Sequence, residues 1–154
     1  MIPELKIMEV PIIAKRVIAK DITVERLDSF REAVIDFCKR GKSIAQPMHS
    51  WAYISRILRG QEESDLWWAL DEDRVDGFIV SKVSQDFDGQ WTAYIHFGWS
   101  GGVQGKEYFR TVLDDYFQKG ILRIQFVTRR HAKVFHKWAG IGWEPVATTF
   151  ELRR

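Results

Sequence analysis

Four glycines fall within eight residues of this chain, in the stretch HFGWSGGVQGKEYF at residues 96–109. They are Gly98, Gly101, Gly102 and Gly105, and they separate a run typical of a strand from a run typical of a helix. Glycine inside a regular element costs about 0.5–1 kcal/mol relative to alanine. The cluster therefore indicates either a tight turn or a loop whose backbone amides approach a ligand closely, and the flanking elements decide between the two.

Apolar periodicity predicts strands and helices on both sides of the glycines. Asp88 and Gly89 stand between two apolar runs and are a strong hairpin signal. The predicted order is β-α-α-β-β-β-α-β-α-β, which favours a single α/β domain over residues 1–154. In chain order the elements are a strand at 11–19, helices at 23–41 and 48–59, strands at 66–70, 77–83 and 91–97, a helix through 109–117 ending at Gly120, a strand at 121–127, a helix at 130–140 and a strand at 143–152.

Length and charge narrow the class of protein. At 154 residues the chain can bury a core without disulfides or metals. The net charge of +2 conceals an asymmetry, because residues 103–154 carry 10 Lys and Arg against 5 Asp and Glu. This excess suits an anionic ligand, with a solvated basic face as the alternative. A single cysteine, and no apolar run near the roughly 20 residues of a membrane span, lead us to expect a cytoplasmic protein without membrane contact.

A strand, a glycine-rich turn and a helix, in that order, present backbone amides and a helix N-terminus to a phosphate. Lys106 lies in the first turn of the helix, but Glu107 follows it, so the P-loop pattern is not met. The glycine spacing also misses the dinucleotide fingerprint G-x-G-x-x-G. Three strands that read as antiparallel before the turn further disfavour a dinucleotide-binding fold.

The chain resembles the GCN5-related N-acetyltransferase superfamily, whose element order it shares across essentially the whole domain. In that family the fourth strand splays from the fifth, and the loop that follows binds the pyrophosphate of coenzyme A. Here residues 94–99 correspond to the splayed strand and residues 100–106 to the loop. The resemblance implies an α/β (α+β) fold with a mixed, mostly antiparallel central sheet flanked by helices. It also implies acetyl-CoA as the acyl donor and no metal.

The closing segment, residues 126–146, resembles the family pattern Asn-x-x-Ala-x-x-Leu-Tyr followed by Gly-Phe. Arg129 stands in place of the Asn, and Ala132, Phe135 and His136 occupy the Ala, Leu and Tyr positions. The loop does not match the family pattern Gln/Arg-x-x-Gly-x-Gly/Ala in any register. With these departures the chain is most similar to divergent members encoded by bacteriophages, which places it in the host cytoplasm or the virion.

The resemblance assigns roles to individual residues. It implies His96 as the base for the acceptor amine, and the ordinary pKa of a histidine, near 6.5, suits that role. It implies His136, at the position of the family's Tyr, as the acid for the leaving thiolate. The alternatives are a strand histidine with a hydrogen-bond partner and an exposed polar residue. A backbone amide of Gly98 or Trp99 polarises the thioester. The expected cofactor-binding residues are Phe97, Gly98, Trp99, Gly101, Gly102, Val103, Gln104, Gly105, Lys106, Arg129 and Phe135.

The leading function is therefore an acyl-CoA-dependent N-acyltransferase in which the amine attacks the thioester directly. Its acceptor is a small amine, a protein lysine or a nucleobase amine, and the sequence leaves these open. The alternative is a catalytically inactive virion or nucleic-acid-associated binding protein of the same fold, favoured by the divergent loop and the basic C-terminal half. The sheet edge left by the splayed strand also leaves a homodimer open.

Overall fold

A computed structural model describes residues 14–40, 47–102, 104–127, 132–147 and 150–153. Within these ranges five strands form one sheet in chain order: β1 (Ala14–Arg16), β2 (Asp65–Asp71), β3 (Arg74–Gln85), β4 (Trp91–Ser100) and β5 (Arg123–Phe126). Neighbouring strands are antiparallel except β4 and β5, which are parallel. The mixed, mostly antiparallel sheet expected from the resemblance is confirmed.

Helices cover both faces of the sheet and enclose one apolar core on each. On one face lie α1 (Val24–Arg40) and α2 (Pro47–Leu58), and on the other lies α3 (Gly105–Gln118). Helix α1 begins after Thr23, whose hydroxyl accepts a hydrogen bond of 3.2 Å from the Arg26 amide and so caps the first turn. The apolar stripe that predicted α3, Phe109, Val112, Leu113, Tyr116 and Phe117, is buried except for Phe117, which is exposed. Tyr108, which the stripe left out, completes the buried face.

The predicted helix at 130–140 is wrong. Its described residues form two short 3-10 helices, Ala132–Val134 and Trp138–Gly140. The hydrogen bonds of the second join residues three apart: the Gly140 amide donates to the carbonyl of Lys137 at 3.3 Å. The rings of Phe135 and Trp138 pack on aromatic residues of β5 and α3. Apolar residues three apart satisfy tight turns as well as a helix, and ring packing selects the turns.

The predicted strand at 143–152 is also wrong over its described residues, which make no ladder; residues 148–149 lie outside the described ranges. Trp143 is instead held by hydrogen bonds to the preceding 3-10 segment. Its amide donates to the carbonyl of His136 at 3.3 Å, and its indole N–H donates to the carbonyl of Trp138 at 3.2 Å. Pro145 follows two residues later and has no N–H to give to a ladder.

A chain of hydrogen bonds inside the α3-side core joins three elements. The Trp67 indole donates to the Ser81 hydroxyl at 3.0 Å, Ser81 and the Tyr116 hydroxyl lie 2.5 Å apart, and Tyr116 donates to Asp65 at 3.2 Å. Burial raises the pKa of Tyr116 to about 12, so the phenol stays neutral. The chain fixes α3 against β2 and β3 without leaving its members unpaired.

Replacing Tyr116 with phenylalanine is expected to destabilise the fold by about 1–3 kcal/mol, because Ser81 and Asp65 lose a buried partner. Urea unfolding at neutral pH measures this loss. Tyr53→Phe is the comparison variant, since its half-buried hydroxyl meets only Ser64, at 2.9 Å. It should cost less, about 0.5–1.5 kcal/mol. If the two variants lost the same free energy of unfolding, the buried hydrogen-bond chain would not stabilise the fold more than a half-buried hydrogen bond does.

Candidate active site

The cleft of the protein arises where β4 and β5 part. Among the described residues, the two strands pair from Thr92 opposite Arg123 to Ile95 opposite Phe126 and no further. Strand β4 continues to Ser100 on β3 alone. The splay that the resemblance implied is therefore present, and it begins one residue before His96.

The closed end of the splay is held by a network of charges and hydroxyls. Arg123 donates to Asp86 at 3.1 Å and to Asp88 at 2.7 Å, which ties β5 to the turn between β3 and β4. Asp86 also accepts hydrogen bonds from the hydroxyls of Thr92 and Tyr94. These hydroxyls, followed by the Arg123 guanidinium, lower the pKa of Asp86. The network is anchored on both strands just where they pair, so it fixes the point from which they diverge.

A β-bulge reshapes β4 at the start of the splay. Ser81 of β3 lies opposite Ile95 and Val80 lies opposite Phe97, so His96 has no partner on β3. Ile95 belongs to the α3-side core, whereas Phe97 packs with the core under α1. The extra residue therefore switches the faces of β4 and redirects its course. His96 is the residue at which this change occurs.

Between the diverging strands lies a cavity of about 290 Å³. It is bounded by β4, β5, the start of α3 and the 3-10 segment. The predicted site residues that line it are His96, Phe97, Gly98, Trp99, Gly105 and Phe135. The splay thus brings together residues that are up to 39 positions apart in the sequence, since Phe135 faces the same opening as His96.

Other predicted residues do not line the cavity: Gly101, Gly102, Gln104, Lys106 and His136. The side chain of His136 is exposed on the 3-10 segment, and Lys106 is exposed on the first turn of α3. Val103 and Arg129 lie outside the described residues.

The structure gives the glycine cluster two different uses. Gly98 lies in β4, where an added Cβ would come within 3.2 Å of the Ile79 side chain, so it keeps the cleft wall thin. Gly101 and Gly102 form a turn. The Gly101 amide donates to the carbonyl of Asp76 at 2.9 Å, and the Gly102 amide donates to the Ser100 hydroxyl at 3.3 Å. These two amides are engaged within the protein.

The free donors near the loop are those of α3. The first hydrogen bond of the helix runs from Tyr108 to the carbonyl of Gln104. The amides of Gly105, Lys106 and Glu107 precede that bond and have no partner inside the helix, as at every helix N-terminus. Gly105 permits the close approach of α3 to β4, since an added Cβ would meet the Ser100 Cβ at 3.0 Å.

Sequence reasoning missed Tyr108 and Asp76. Tyr108 is buried, lines the cleft and donates its hydroxyl to Asp76, which also pairs with Arg74 at 3.2 Å. Burial, followed by the carboxylate of Asp76, raises the pKa of Tyr108, which keeps the phenol protonated. The signal was available, because Tyr108, Val112 and Tyr116 recur at intervals of four and so share one helical face.

The far end of β4 is fixed from the other face of the sheet. The Trp99 indole donates to Asp36 of α1 at 2.7 Å, and Asp36 also pairs with Arg40 at 2.7 Å. The Trp99 ring stacks on Phe78, with ring centroids 5.9 Å apart. The side chain of Trp99 is therefore structural, and only its backbone is available to the cleft.

His96 has an electrostatic setting that favours its neutral form. Partial desolvation, followed by the positive charge of Lys82, lowers the pKa of His96 below its ordinary value of 6.5. At pH 7 the imidazole is then unprotonated and able to accept a proton. His96 is thus the member of the site best suited to act as a base.

Replacing Lys82 with methionine is expected to raise the pKa of His96, because it removes a positive charge that opposes protonation of the imidazole. An NMR titration of the imidazole resonances between pH 4 and 8 measures this change. Lys20→Met is the matched control, since exposed Lys20 lies beyond β1, at the opposite edge of the sheet from β5. An unchanged or lower pKa in the Lys82 variant would contradict the electrostatic account.

Within the described ranges, three or more His, Cys, Asp or Glu side chains nowhere converge as they do at metal sites. Of the helices described, none combines the length and the apolar character that crossing a membrane requires. The lone Cys38 is buried, and its thiol lies 3.5 Å from the Ser50 hydroxyl.

Solved structures share this architecture over nearly the whole chain. A probable acetyltransferase is 15% identical, covers 92% of this chain and 97% of its own, and has a TM-score of 0.68. An aminoglycoside acetyltransferase from an uncultured soil metagenomic sample is 15% identical, with 91% and 95% covered and a TM-score of 0.60. A transcriptional regulator from Bacillus halodurans C-125 is 14% identical, with 90% and 98% covered and a TM-score of 0.62.

No protein-family model matches the sequence, and no curated protein matches it. The structural likeness nevertheless covers 90–92% of the chain in each of these three structures. The chain has the GCN5-related N-acetyltransferase fold, and the fold class expected from its element order is confirmed.

Proposed function

We propose that the protein is an acyl-CoA-dependent N-acyltransferase that uses acetyl-CoA. The observation that carries this proposal is the parting of β4 from β5 at a bulged histidine, beside the open N-terminus of α3. Two of the solved structures that share the fold are described as acetyltransferases, which supports acyl transfer as the reaction class.

The residues around the cleft fit the acyl donor in size and polarity. A narrow, mostly apolar opening suits a pantetheine arm, and Gly98 leaves room for it along β4. The amides in the first turn of α3, with the exposed Lys106, suit the pyrophosphate. Asp76 lies near this loop, where its charge opposes an anion, but Arg74 offsets that charge through the ion pair of 3.2 Å.

Bound acetyl-CoA would supply an activated thioester carbonyl. In the transfer, a carbon–nitrogen bond to the acceptor forms, the carbon–sulfur bond breaks, one proton leaves the amine and one reaches the sulfur. We assign the first proton to His96, whose neutral imidazole can accept it. A backbone amide of Gly98 or Trp99 would stabilise the carbonyl oxygen as its charge develops. The second proton comes from His136 or from solvent.

Acetyl-CoA in large excess is expected to raise the thermal midpoint. A ligand at about 100 times its dissociation constant adds roughly 2.7 kcal/mol, which for a domain of this size is about 5–10 °C. Gly102→Glu should abolish the rise, because it adds a negative charge beside the loop at a position with free space. Gly142→Glu is the matched control, since nothing lies within 4 Å of its Cβ position. A rise that survives Gly102→Glu would overturn the loop assignment.

His96→Ala is expected to lower kcat by about 100-fold or more, as loss of a general base does, while the thermal shift with acetyl-CoA is retained. In the wild type, kcat/KM should increase with pH through a pKa below 6.5, because the base acts unprotonated. Release of free coenzyme A measures both. His136→Ala tests the second proton: a large loss in kcat assigns that proton to His136, and no loss assigns it to solvent. Unchanged turnover in His96→Ala contradicts its role as base.

The alternative is ligand binding without catalysis. It is favoured by the engagement of the Gly101 and Gly102 amides within the protein, and by a transcriptional regulator that shares the fold. The two readings separate in the same assay. An enzyme releases coenzyme A in the presence of an amine, whereas a binding protein shows at most the thermal shift. A nucleic-acid-binding protein would instead show an affinity that falls steeply with salt.

A further inference from the structure

One part of the sheet surface is polar and lies beside the cleft. Side chains alternate along β3, so Lys82 faces the same side as Phe78 and Val80, the side of α1 and α2. The partner of Lys82 on β4 is Tyr94, and the partner of Tyr94 on β5 is Gln125. We call the surface formed by Lys82, Ser84, Tyr94, Arg123 and Gln125 the polar face.

Helix α1 does not extend over the polar face. It reaches β4 through Phe37, which stacks on Phe97 at 5.1 Å, and through Asp36, which accepts a hydrogen bond from Trp99. The two residues of β4 in these contacts, Phe97 and Trp99, follow the bulge at His96 in the chain. Lys82 and Tyr94, on the near side of the bulge, are half-buried among polar residues. The polar face is therefore a shallow surface of the described structure that borders the bulged residue.

Charge on the polar face is unevenly matched. Arg123 is engaged by Asp86 and Asp88, and Tyr94 donates to the same Asp86. Lys82, by contrast, makes no ion pair or hydrogen bond within the described ranges, and its charge acts on His96. A half-buried lysine without a counter-ion favours an anion beside it. Both carboxylates nearest this surface are already committed to Arg123.

The geometry of the splay sets the side from which the acceptor arrives. On the proposed function, the acyl donor occupies the cleft on the α3 side, against Tyr108, Phe109 and Phe126. The acceptor amine must reach the same carbonyl without crossing the donor, so it enters from the opposite side of β4. That side carries the polar face, with Lys82 diagonally across from the bulge. Lys82 pairs with Tyr94, which precedes His96 by two residues, and its charge reaches the imidazole.

We propose that Lys82 binds an anionic group of the acceptor, so that the acceptor is an amine carrying a carboxylate or phosphate a few bonds from its amino group. This inference rests on the proposed function for the position of the amine at His96. It narrows the substrate class, because a polycationic amine or a lysine in a basic peptide would bring positive charge against Lys82.

Two matched pairs of acceptors test the proposal: glycine with glycinamide for the carboxylate, and O-phosphoethanolamine with ethanolamine for the phosphate. The members of a pair differ in amine basicity, so the quantity to measure is the change in their kcat/KM ratio on substitution. Lys82→Met should reduce the anionic-to-neutral ratio by about tenfold or more in at least one pair, as loss of a charged hydrogen bond does. The pair that responds identifies the anion. Lys20→Met makes the same change in net charge and should leave both ratios unchanged. That result would show that net charge alone does not alter them.

Acceptor binding can also be measured in the absence of the reaction, by following the NMR resonances of the His96 imidazole during titration with each amine. Glycine or O-phosphoethanolamine should shift these resonances in the wild type and at least tenfold more weakly in Lys82→Met. Ratios that do not change with Lys82→Met, or resonances that shift equally in both proteins, overturn the inference. Absence of both coenzyme A release and the thermal shift with acetyl-CoA would instead overturn the proposed function, and the titration would then decide whether Lys82 binds an anion.

Discussion

The site depends on the way β4 is shared between its two neighbours. Strand β4 pairs with β3 along almost its whole length but, within the part of the chain that the structure describes, with β5 over only four residues. The bulge at His96 marks the change. Pairing to the end would close the cleft, and loss of the pairing at Arg123 would detach β5. The hydrogen bonds of Arg123 to Asp86 and Asp88 therefore fix the closed end of the cleft, where β4 and β5 remain paired.

Close packing on the α3 side gives that opening a firm wall. Gly77 has no room for a side chain, because an added Cβ would lie 2.7 Å from the Tyr108 ring. Tyr108 and Tyr116 are each buried and hydrogen-bonded to a carboxylate, of Asp76 and Asp65 respectively. Helix α3 is thus attached to the sheet at both of its ends by polar contacts and between them by apolar ones. The first turn of α3 is thereby held beside the cleft, which Gly105 lines.

Much of the fold followed from sequence periodicity. Local sequence patterns predicted α1, α2, α3, β3, β4 and the turn at Asp88 and Gly89. Each of these was found close to its predicted position. The last two predicted elements failed because contacts made at long range decide them. Phe109 and Phe126 draw Trp138 and Trp143 into an aromatic cluster, and that packing overrides the local pattern of the segment.

The sequence by itself determined the strand, glycine turn and helix around residues 96–109, because glycine spacing and apolar periodicity are local properties. It pointed to His96 and Gly98, which do line the cleft. Only the tertiary structure decided that the Gly101 amide is hydrogen-bonded to Asp76 and that Tyr108 and Asp76 meet. It also decided that Lys82, without a counter-ion among the described residues, acts on His96. Asp76 lies 25 positions from Gly101 and 32 from Tyr108, and the relation between Lys82 and His96 depends on strand register. No local pattern records separations or registers of this kind.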